Sequence, residues 1–240
     1  MTATLKALIF DFNGTLCLDE PLVLNLYQRV LAEEGVTLPA AAYEAGYLGL
    51  SDTAVLAKAL AAAGRQAAVA KVAAMVARKS RYYLEAVAAR PPLAPGAADL
   101  VRAVSHQYRL AVASGAPRRE IEWVLRQAGL RDRFAALVAM EDTDRGKPHP
   151  APFLRALAGI NGGARRVDQV QAAECLVLED SLEGIRGAKA AGMRVIGVAS
   201  TYAVERLAAE ADRAVPALVD LAPEELGRWF ASLGEAPGAV

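Results

Sequence analysis

Residues 5–16 read LKALIFDFNGTL, and this stretch decides how the rest of the chain is interpreted. The apolar run Ala7–Phe10 is long enough for a buried β-strand, and it ends abruptly at the carboxylate of Asp11. Asn13-Gly14 then supplies residues that are typical of a turn. Open α/β sheets bind ligands outside the carboxyl ends of their strands, which is where this pattern places Asp11. An aspartate that only begins the turn is the alternative interpretation.

The composition excludes several classes of partner. The 240 residues include 27 Lys and Arg and 27 Asp and Glu, so the formal net charge is zero, which argues against binding to nucleic acid or an anionic membrane. No apolar run approaches the length of a membrane-spanning helix, and no signal-peptide pattern is present. Cys17 and Cys175 show no metal-ligand spacing and are too few for a disulfide framework. We expect a soluble, cytoplasmic protein.

Short apolar runs alternate with helical patterns along most of the chain. The runs that predict strands are Ala7–Phe10, Leu110–Ala113, Ala136–Ala139, Leu176–Leu178, Val195–Val198 and a final short one at Ala214–Val215. The helical patterns between them are Gly96–His106, Arg118–Ala128, Ala151–Ala158 and Glu183–Ala191. Strands and helices that alternate at this spacing predict an α/β fold, namely a doubly wound parallel sheet with helices on both faces.

Residues 17–92 interrupt this alternation because they read as almost wholly helical. The predicted helices are Pro21–Glu34, roughly Pro39–Tyr47, Asp52–Ala63 and Ala67–Ala89, and Arg90-Pro91-Pro92 provides a stiff exit. A helical insertion at this point would overhang the ligand crevice as a lid does, although a helical decoration without function is the alternative. We predict a core domain of residues 1–16 and 93–240 and a helical cap domain of residues 17–92.

Two further segments carry groups that are suited to binding phosphate. Residues 110–115 read LAVASG, a strand that ends at Ser114 and Gly115, whose hydroxyl and free backbone N–H groups would cradle a phosphate. A plain helix cap at Ser114 is the alternative. Residues 144–150 read DRGKPHP and hold Lys147 between a glycine and a proline. A fixed ammonium there would screen a carboxylate nucleophile from an incoming phosphate, whereas most loop lysines are simply solvated.

A pair of carboxylates follows another apolar run. Glu179 and Asp180 come directly after Leu176–Leu178, and buried acids are costly unless they are paired or bound to a metal. Together with Asp11 they would form an all-oxygen site suited to Mg²⁺. The alternative is that Asp180 or Ser181 caps the helix that follows.

The order of these motifs resembles that of the haloacid dehalogenase-like hydrolase superfamily. Asp-x-x-Gly-Thr at 11–15 is followed by Ser114, by Gly146-Lys147-Pro148 and by Glu179-Asp180. The helical insertion is similar to that of the branch containing β-phosphoglucomutase and phosphoglycolate phosphatase. Finer stretches agree, namely Glu20-Pro21, Pro95-Gly96 and residues 180–193.

The resemblance implies a role for each motif residue. Asp11 would attack phosphorus and carry an aspartyl-phosphate, and Lys147 would offset charge as the phosphoryl group transfers. The phosphoryl oxygens would be held by Ser114, Lys147 and backbone amides of the two motifs; the residues implied are Asn13, Gly14, Thr15 and Gly115. Mg²⁺ would lie between the Asp11 carboxylate, the main-chain carbonyl of Asn13 and Asp180, with Glu179 as a direct or indirect partner.

Asn13 departs from the pattern of the family that the chain resembles. Its phosphatases and mutases carry an aspartate there, which protonates the leaving oxygen and later activates water. An amide cannot exchange a proton at neutral pH, and general acid–base catalysis is typically worth a factor of about 10² to 10⁴. Three explanations are open. In the first, Asn13 is natural, and the enzyme either acts only on substrates with good leaving groups or uses another acid, such as Asp19 or Glu20. In the second, Asn13 is an engineered substitution. In the third, the protein binds phosphate without turnover.

Lys79 lies on the apolar stripe of its predicted helix, together with residues such as Val76 and Tyr83. A charged group on that side either faces a ligand or extends past the apolar surface to water. Its segment also resembles the phosphoglucomutase cap segment whose lysine contacts substrate, so Lys79 is a candidate substrate-binding residue. The loop 48–52 lacks the arginine that grips a second phosphate in the mutase, which favours hydrolysis over a mutase reaction.

The sequence therefore predicts a Mg²⁺-dependent phosphatase that acts on a small phosphorylated metabolite as a monomer or homodimer. A sugar-phosphate mutase and a catalytically weak phosphate-binding protein are the alternatives. No nucleic-acid or membrane partner is expected.

Overall fold

The computed structural model describes residues 3–233, and a six-stranded sheet forms its centre. The strands are β1 (Ala7–Phe10), β2 (Arg109–Ala113), β3 (Phe134–Val138), β4 (Cys175–Glu179), β5 (Arg194–Val198) and β6 (Arg213–Val215). Their order in the sheet is β3-β2-β1-β4-β5-β6, and each neighbouring pair is parallel. The predicted α/β fold class is confirmed, and each predicted strand is present within two residues of its predicted bounds.

Helices connect the strands. They are α1 (Glu20–Glu33), α2 (Ala40–Gly46), α3 (Asp52–Ala62), α4 (Val69–Val87), α5 (Ala97–Val104), α6 (Arg118–Gln127), α7 (Ala151–Ile160), α8 (Leu182–Ala190), α9 (Val204–Ala208) and α10 (Leu226–Ser232). The last two were not predicted, because α9 is little more than one turn and α10 follows the final strand. Within residues 3–233, no helix combines the length and the apolar character needed to cross a bilayer.

Both faces of the sheet are buried, and alternate residues of each strand serve opposite faces. In β1, Ala7 and Ile9 belong to a hydrophobic cluster that includes side chains of α7, α8 and α9. Leu8 and Phe10 belong to a second cluster, which includes side chains of α5, α6 and α10. This two-sided burial explains why the strands read as continuous apolar runs rather than as alternating patterns.

The segment between β1 and β2 contributes α1 to α4, as the sequence predicts. Their apolar sides, represented by Val30, Leu56 and Met75, belong to the same hydrophobic cluster as Leu8 and Phe10 of the sheet. Helix α3 begins where the Ser51 hydroxyl accepts a hydrogen bond from the Ala54 N–H at 3.3 Å. Because the packing is continuous from these helices to the sheet, the division into core and cap domains stays a prediction.

The strand order creates a crevice at the centre of the sheet. From β1 the sheet continues through β2 to β3, and from β4 it continues in the opposite direction. Such a reversal opens a ligand-binding crevice at the carboxyl ends of the two central strands. Phe10 pairs with Leu178, and the Asp11 N–H donates to the Leu178 carbonyl at 3.0 Å. Asp11 and Glu179 are therefore brought side by side by the register of β1 and β4.

Candidate active site

Three buried carboxylates meet at this crevice. Asp11 follows β1, Glu179 ends β4, and Asp180 follows it. One oxygen atom from each lies within 4.8 Å of the others. The predicted convergence of the first and last motifs is therefore present in the structure.

Lys147 supplies the cation of this cluster. Its Nζ donates to Asp11 Oδ1 at 2.6 Å and also forms an ion pair with Glu179. The side chain is only 4% exposed, so Lys147 is not a solvated loop lysine. Burial alone would lower the pKa of Lys147, but the adjacent carboxylates of Asp11 and Glu179 hold that pKa above its ordinary value.

The cluster contains more carboxyl groups than cationic side chains. Burial raises the pKa of Asp11 to about 7, and Glu179 adds to this rise while Lys147 opposes it. Burial, reinforced by Glu179 and Asp11, raises the pKa of Asp180 well above its usual range. Three carboxyl groups with one ammonium leave an excess of oxygen donors that repel one another. This donor set fits a hard divalent cation, which would remove the repulsion.

Asp180 lies directly over the turn that follows β1. Gly14 has φ +78°, and a Cβ built there would be 2.1 Å from Asp180 Oδ2. The Thr15 hydroxyl donates to Asp180 Oδ1 at 3.3 Å, and the Thr201 hydroxyl donates to Asp180 Oδ2. Gly14 is thus required both for the backbone conformation and for the space that the carboxylate occupies.

Glu179 is fixed by the first turn of α8. Its Oε2 accepts hydrogen bonds from the Ser181 N–H at 2.8 Å and the Ser181 hydroxyl at 2.9 Å. The same hydroxyl accepts from the Gly184 N–H at 3.0 Å, so Ser181 caps α8. A Cβ at Gly184 would lie 1.8 Å from Glu179 Oε1. Ser181 therefore caps the helix, as the alternative interpretation of this segment predicted, and the carboxylate cluster is present as well.

The segment after β2 forms another wall of the site. The Ser114 N–H donates to the Val138 carbonyl at 3.0 Å, and the Ser114 hydroxyl accepts from the Ala116 N–H at 3.1 Å. Gly115 lies close to the helical segment, because a Cβ on it would meet Ser51 Cα at 3.0 Å. Ser114 is therefore held at the edge of the cluster, beneath the start of α3.

A cleft of about 490 Å³ opens onto the cluster. The predicted site residues that line it are Asp11, Asn13, Ser114, Gly115, Lys147 and Asp180. Gly14, Thr15 and Glu179 are buried against the cluster through the contacts given above. The structure thus assembles these residues in one place, while their individual roles stay predictions.

Comparison with known proteins identifies the family. Residues 5–192 match the family model described as haloacid dehalogenase-like hydrolase. The chain belongs to this family. The match covers β1 to β4, α8 and the helical segment between β1 and β2, so it includes the whole cluster described above.

Curated relatives match most of the chain. CbbY of Rhodobacter capsulatus is 30% identical over 242 residues, which cover 89% of this chain and 99% of that protein. Hexitol phosphatase B of Escherichia coli is 32% identical over 198 residues, covering 80% of this chain and 82% of that protein. Phosphoglycolate phosphatase of Pectobacterium atrosepticum is 25% identical over 199 residues and covers 82% of each.

A solved structure shows the same fold. The crystal structure of β-phosphoglucomutase from Clostridium difficile superimposes with a TM-score of 0.82 at 22% identity. The superposition covers 95% of this chain and 98% of that one, so it includes helices of the segment between β1 and β2.

Asn13, where the resemblance to the family predicts an aspartate, lines the cleft. Its Nδ2 donates to Asp19 Oδ2 at 2.9 Å, and the Tyr83 hydroxyl donates to the same oxygen at 2.6 Å. A carboxylate only accepts hydrogen bonds, so the amide NH₂ group must face Asp19 and the amide oxygen must point elsewhere. Burial raises the pKa of Asp19, and the hydrogen bonds from Tyr83 and Asn13 oppose that rise.

The two candidate substitute acids occupy different positions. Asp19 is 2% exposed and does not line the cleft among the residues described there. Glu20 lines the cleft and accepts a hydrogen bond from the Tyr43 hydroxyl at 2.5 Å. Burial raises the pKa of Glu20. Only Glu20 is therefore placed to reach a bound substrate directly.

Lys79 is not part of this assembly. It is 1% exposed, and its Nζ lies 3.1 Å from Asp52 Oδ2 and 3.0 Å from Glu120 Oε2. Lys79 is absent from the described lining of the cleft, so the structure provides no contact in support of its predicted substrate binding. That role stays a prediction.

Sequence reasoning missed several side chains of the site. Thr201 follows β5 at the same edge of the sheet, and its position after a predicted strand was an available signal. Tyr27, Tyr43 and Asp52 line the cleft from α1, α2 and α3. Those three lie in patterns that read only as amphipathic helices, so no local signal separated them from ordinary helix residues.

Proposed function

We propose that this protein is a Mg²⁺-dependent phosphatase that hydrolyses a small phosphorylated metabolite through an aspartyl-phosphate on Asp11. The observation that carries the proposal is the 2.6 Å contact between Lys147 and Asp11 inside a buried carboxylate cluster at the centre of the sheet. The phosphatases among the relatives support the substrate class.

In the first step, an Asp11 oxygen would form a bond to phosphorus while the bond from phosphorus to the substrate's alcohol oxygen breaks. Lys147 would screen the Asp11 carboxylate from the incoming anion and bind a phosphoryl oxygen. The Ser114 hydroxyl, which lines the cleft, and nearby backbone N–H groups would hold the other oxygens. The departing alkoxide would receive a proton from water or from the Glu20 carboxyl group, which lines the cleft.

Asp11, Asp180 and the main-chain carbonyl of Asn13 would hold Mg²⁺, with Glu179 beside them. The ion, when bound, offsets negative charge on the phosphoryl oxygens. Mg²⁺ would fit this site because the cluster holds more buried carboxylate oxygens than its one cationic side chain can bind. Lys147 and the ion would together offset the negative charge of a dianionic phosphate.

In the second step, water would attack phosphorus, the bond from phosphorus to the Asp11 oxygen would break, and the proton of that water would pass to the released phosphate or to solvent. The Asn13 amide can orient that water through its oxygen, because its NH₂ group is taken up by Asp19. It can neither donate nor remove a proton at neutral pH. The phosphorylated Asp11 is therefore expected to be longer-lived here than in a site with an acid at this position.

Hydrolysis of p-nitrophenyl phosphate tests the proposal, because its leaving group needs no proton donor. We expect Mg²⁺-dependent release of nitrophenol, and we expect Asp11→Asn to abolish it. Turnover that persists in Asp11→Asn would contradict the proposed nucleophile. Phosphate binding without any turnover would instead support the alternative that Asn13 favours, a catalytically weak binding protein.

We further propose that the protein works in the cytoplasm as a monomer or homodimer on a small-molecule substrate. Cys17 and Cys175 are both free thiols, and both are buried. Free cysteines are typical of a reducing compartment, which supports this location.

A further inference from the structure

The far end of the cleft is acidic. This end is the part of the cleft that the helical segment lines, and its polar side chains are Glu20, Tyr27, Tyr43 and Asp52, with apolar side chains among them. A substrate whose phosphate is held at Asp11 must place the rest of its structure against some of these residues. Their chemistry therefore restricts what the alcohol portion of the substrate can be.

Each of the two carboxylates is held by a tyrosine. The Tyr43 hydroxyl donates to Glu20 Oε1 at 2.5 Å, and the Tyr27 hydroxyl donates to Asp52 Oδ1 at 2.6 Å. Carboxylate and phenolic oxygens retain lone pairs after these bonds are made. The far end of the cleft thus offers fixed acceptors to a ligand that brings its own donors.

Lys79 contacts one of these lining residues, Asp52, and is bound by two carboxylates. Asp52 and Glu120 bind its Nζ from two sides, at 3.1 and 3.0 Å. With a side chain that is 1% exposed, it is buried behind Asp52 rather than facing the cleft. Glu20, in contrast, has no ion-pair partner within residues 3–233.

The other lysine near the cleft is Lys147, and it lies beside Asp11, where the substrate's phosphate would bind. Among the described residues that line the cleft, Lys147 is the one cationic side chain, and it contacts Asp11 and Glu179. A neighbouring opening beside Lys147 is lined by Thr53, Met140, Thr143 and Asp144, which add a further acid and no further cation. A second anionic group on the substrate would therefore meet carboxylates in either direction.

We infer that the substrate is the monophosphate ester of a small polyhydroxy alcohol, with neither a carboxylate nor a second phosphate. This inference rests on the phosphatase function proposed above. Hydroxyl groups would donate to the free oxygen of Glu20, and an anion in their place would lose this bond and be repelled. Glu20 is the main determinant, because Lys79 already compensates Asp52.

Three substrates of nearly equal size test the inference, namely 2-hydroxyethyl phosphate, phosphoglycolate and 2-aminoethyl phosphate. They differ in whether a hydroxymethyl, a carboxylate or an aminomethyl group lies opposite the phosphate. We expect kcat/KM for the hydroxyl compound to exceed that for phosphoglycolate about tenfold or more. Glu20 attracts the ammonium of the amine, but an ammonium costs more to desolvate than a hydroxyl, so we expect kcat/KM for the amine to lie within about tenfold of that for the hydroxyl compound. Glycerol 1-phosphate, with one more hydroxyl, should be better still.

Glu20→Gln removes the charge and keeps the shape. We expect it to reduce the preference for 2-hydroxyethyl phosphate over phosphoglycolate about three- to tenfold, mainly through KM for phosphoglycolate. Glu44→Gln is the matched control, since Glu44 is exposed on α2 and does not line the cleft. It removes the same charge from the helical segment and should leave the preference unchanged.

The outcomes separate the inference from the function on which it depends. If none of these esters nor p-nitrophenyl phosphate is hydrolysed with Mg²⁺, the proposed phosphatase function fails. If the esters are hydrolysed but phosphoglycolate is equal to or better than 2-hydroxyethyl phosphate, the inference is wrong. A preference for the amine above tenfold, or the same preference in Glu20→Gln and wild type, also overturns it. If Glu20→Gln does not fold, Glu20→Ala is measured, which also removes the charge, and an undiminished preference there counts against the inference.

Discussion

Asn13 decides how fast the proposed reaction can run. Its side chain lies at the crevice with Asp11, yet its NH₂ group is bound by the buried carboxylate of Asp19. The amide and the carboxylate thus stand next to each other, with the amide on the side of the substrate. This arrangement keeps a hydrogen-bonding amide at the site, and the ionisable carboxyl group of Asp19 lies behind that amide.

Replacing Asn13 by Asp should restore acid–base catalysis. We expect Asn13→Asp to increase kcat for an alkyl phosphate about 10²-fold and to have a smaller effect on p-nitrophenyl phosphate, whose leaving group needs no proton. The double variant Asn13→Asp/Asp19→Asn exchanges the two groups and preserves their hydrogen bond, so it should keep the gain without the repulsion between two carboxylates. Steady-state kinetics with both substrates measure these effects. An unchanged kcat in both variants, with Asp11→Asn inactive, would show that another acid already serves.

Gly14 provides a second test at the level of one residue. A Cβ there would collide with Asp180 Oδ2 at 2.1 Å, whereas Gly129 also has a positive φ, +65°, and has nothing within 4 Å of its Cβ position. Both Gly14→Ala and Gly129→Ala should lose about 1 to 2 kcal/mol of stability from the left-handed conformation. Only Gly14→Ala should weaken Mg²⁺ affinity, by about tenfold or more, in calorimetric titrations. Equal Mg²⁺ affinities in the two variants would mean that Asp180 is not a ligand.

At the level of elements, an internal ion cluster joins the helical segment to the core. Lys79 of α4 contacts Asp52 of α3 and Glu120 of α6. Two carboxylates share one ammonium, so one negative charge is uncompensated. Burial raises the pKa of Glu120 to about 7, with Asp52 adding to the rise and Lys79 opposing it. Lys79 is thus more an anchor between α4 and α6 than a surface lysine.

The raised pKa of Glu120 predicts a pH dependence of stability. A pKa that is higher in the folded than in the unfolded state adds stability below about pH 4.5, which is lost as the pH rises through about 7. The free energy of unfolding should therefore decline as the pH rises, and we expect Glu120→Gln to remove the contribution of this group, on the order of 3 kcal/mol at most. Urea unfolding of wild type and variant between pH 5 and 8 measures it. Parallel pH curves for the two proteins would refute the expectation.

Lys79→Met tests the same ion cluster by removing its cation. It leaves two buried carboxylates without a cation, which should cost roughly 3 to 5 kcal/mol. The loss should be largest above pH 7, where Glu120 is charged, and the double variant Lys79→Met/Glu120→Gln should recover part of it. A loss that is the same at pH 5 and pH 8 would instead indicate a packing defect.

At the scale of the whole molecule, the sequence predicted the fold well because the pattern is long and regular. Six apolar strands, separated by helical patterns, allow few arrangements other than a doubly wound sheet. The same rule places the ends of β1, β2 and β4 together, so Asp11, Ser114 and Asp180 could be grouped before any coordinates. The register of β1 and β4 then makes Asp11 and Glu179 neighbours.

The helical segment was harder to interpret. The ends of its helices were predicted to within about two residues, but the sequence did not show which helix or strand each helix face packs against. Lys79 lies on an apolar stripe whether it faces a substrate or a buried ion pair, and periodicity cannot separate the two. Its partner Glu120 lies on α6, more than forty positions away in the chain, in a charged run that reads as a solvated surface. Contacts between distant helices depend on packing that no local pattern contains.

Metal binding should change the stability of the whole molecule. Because the three carboxylates repel one another, we expect Mg²⁺ to raise the free energy of unfolding, by about 2.7 kcal/mol at a hundred times Kd. Asp180→Asn should be more stable than wild type without the metal and should gain little when Mg²⁺ is added. Thermal unfolding with and without Mg²⁺ tests both expectations. An equal Mg²⁺ effect in the two proteins would show that the ion binds elsewhere.

The most direct test of the account is to find phosphorus on Asp11. The enzyme is mixed with p-nitrophenyl phosphate, whose leaving group needs no proton donor, and with Mg²⁺, then quenched in acid during turnover, digested and analysed by mass spectrometry. We predict one phosphoryl group on the peptide that contains Asp11, at high occupancy because Asn13 cannot activate the hydrolytic water, and none in Asp11→Asn. Steady turnover with Asp11 unmodified, or with the phosphoryl group on another residue, would contradict the account.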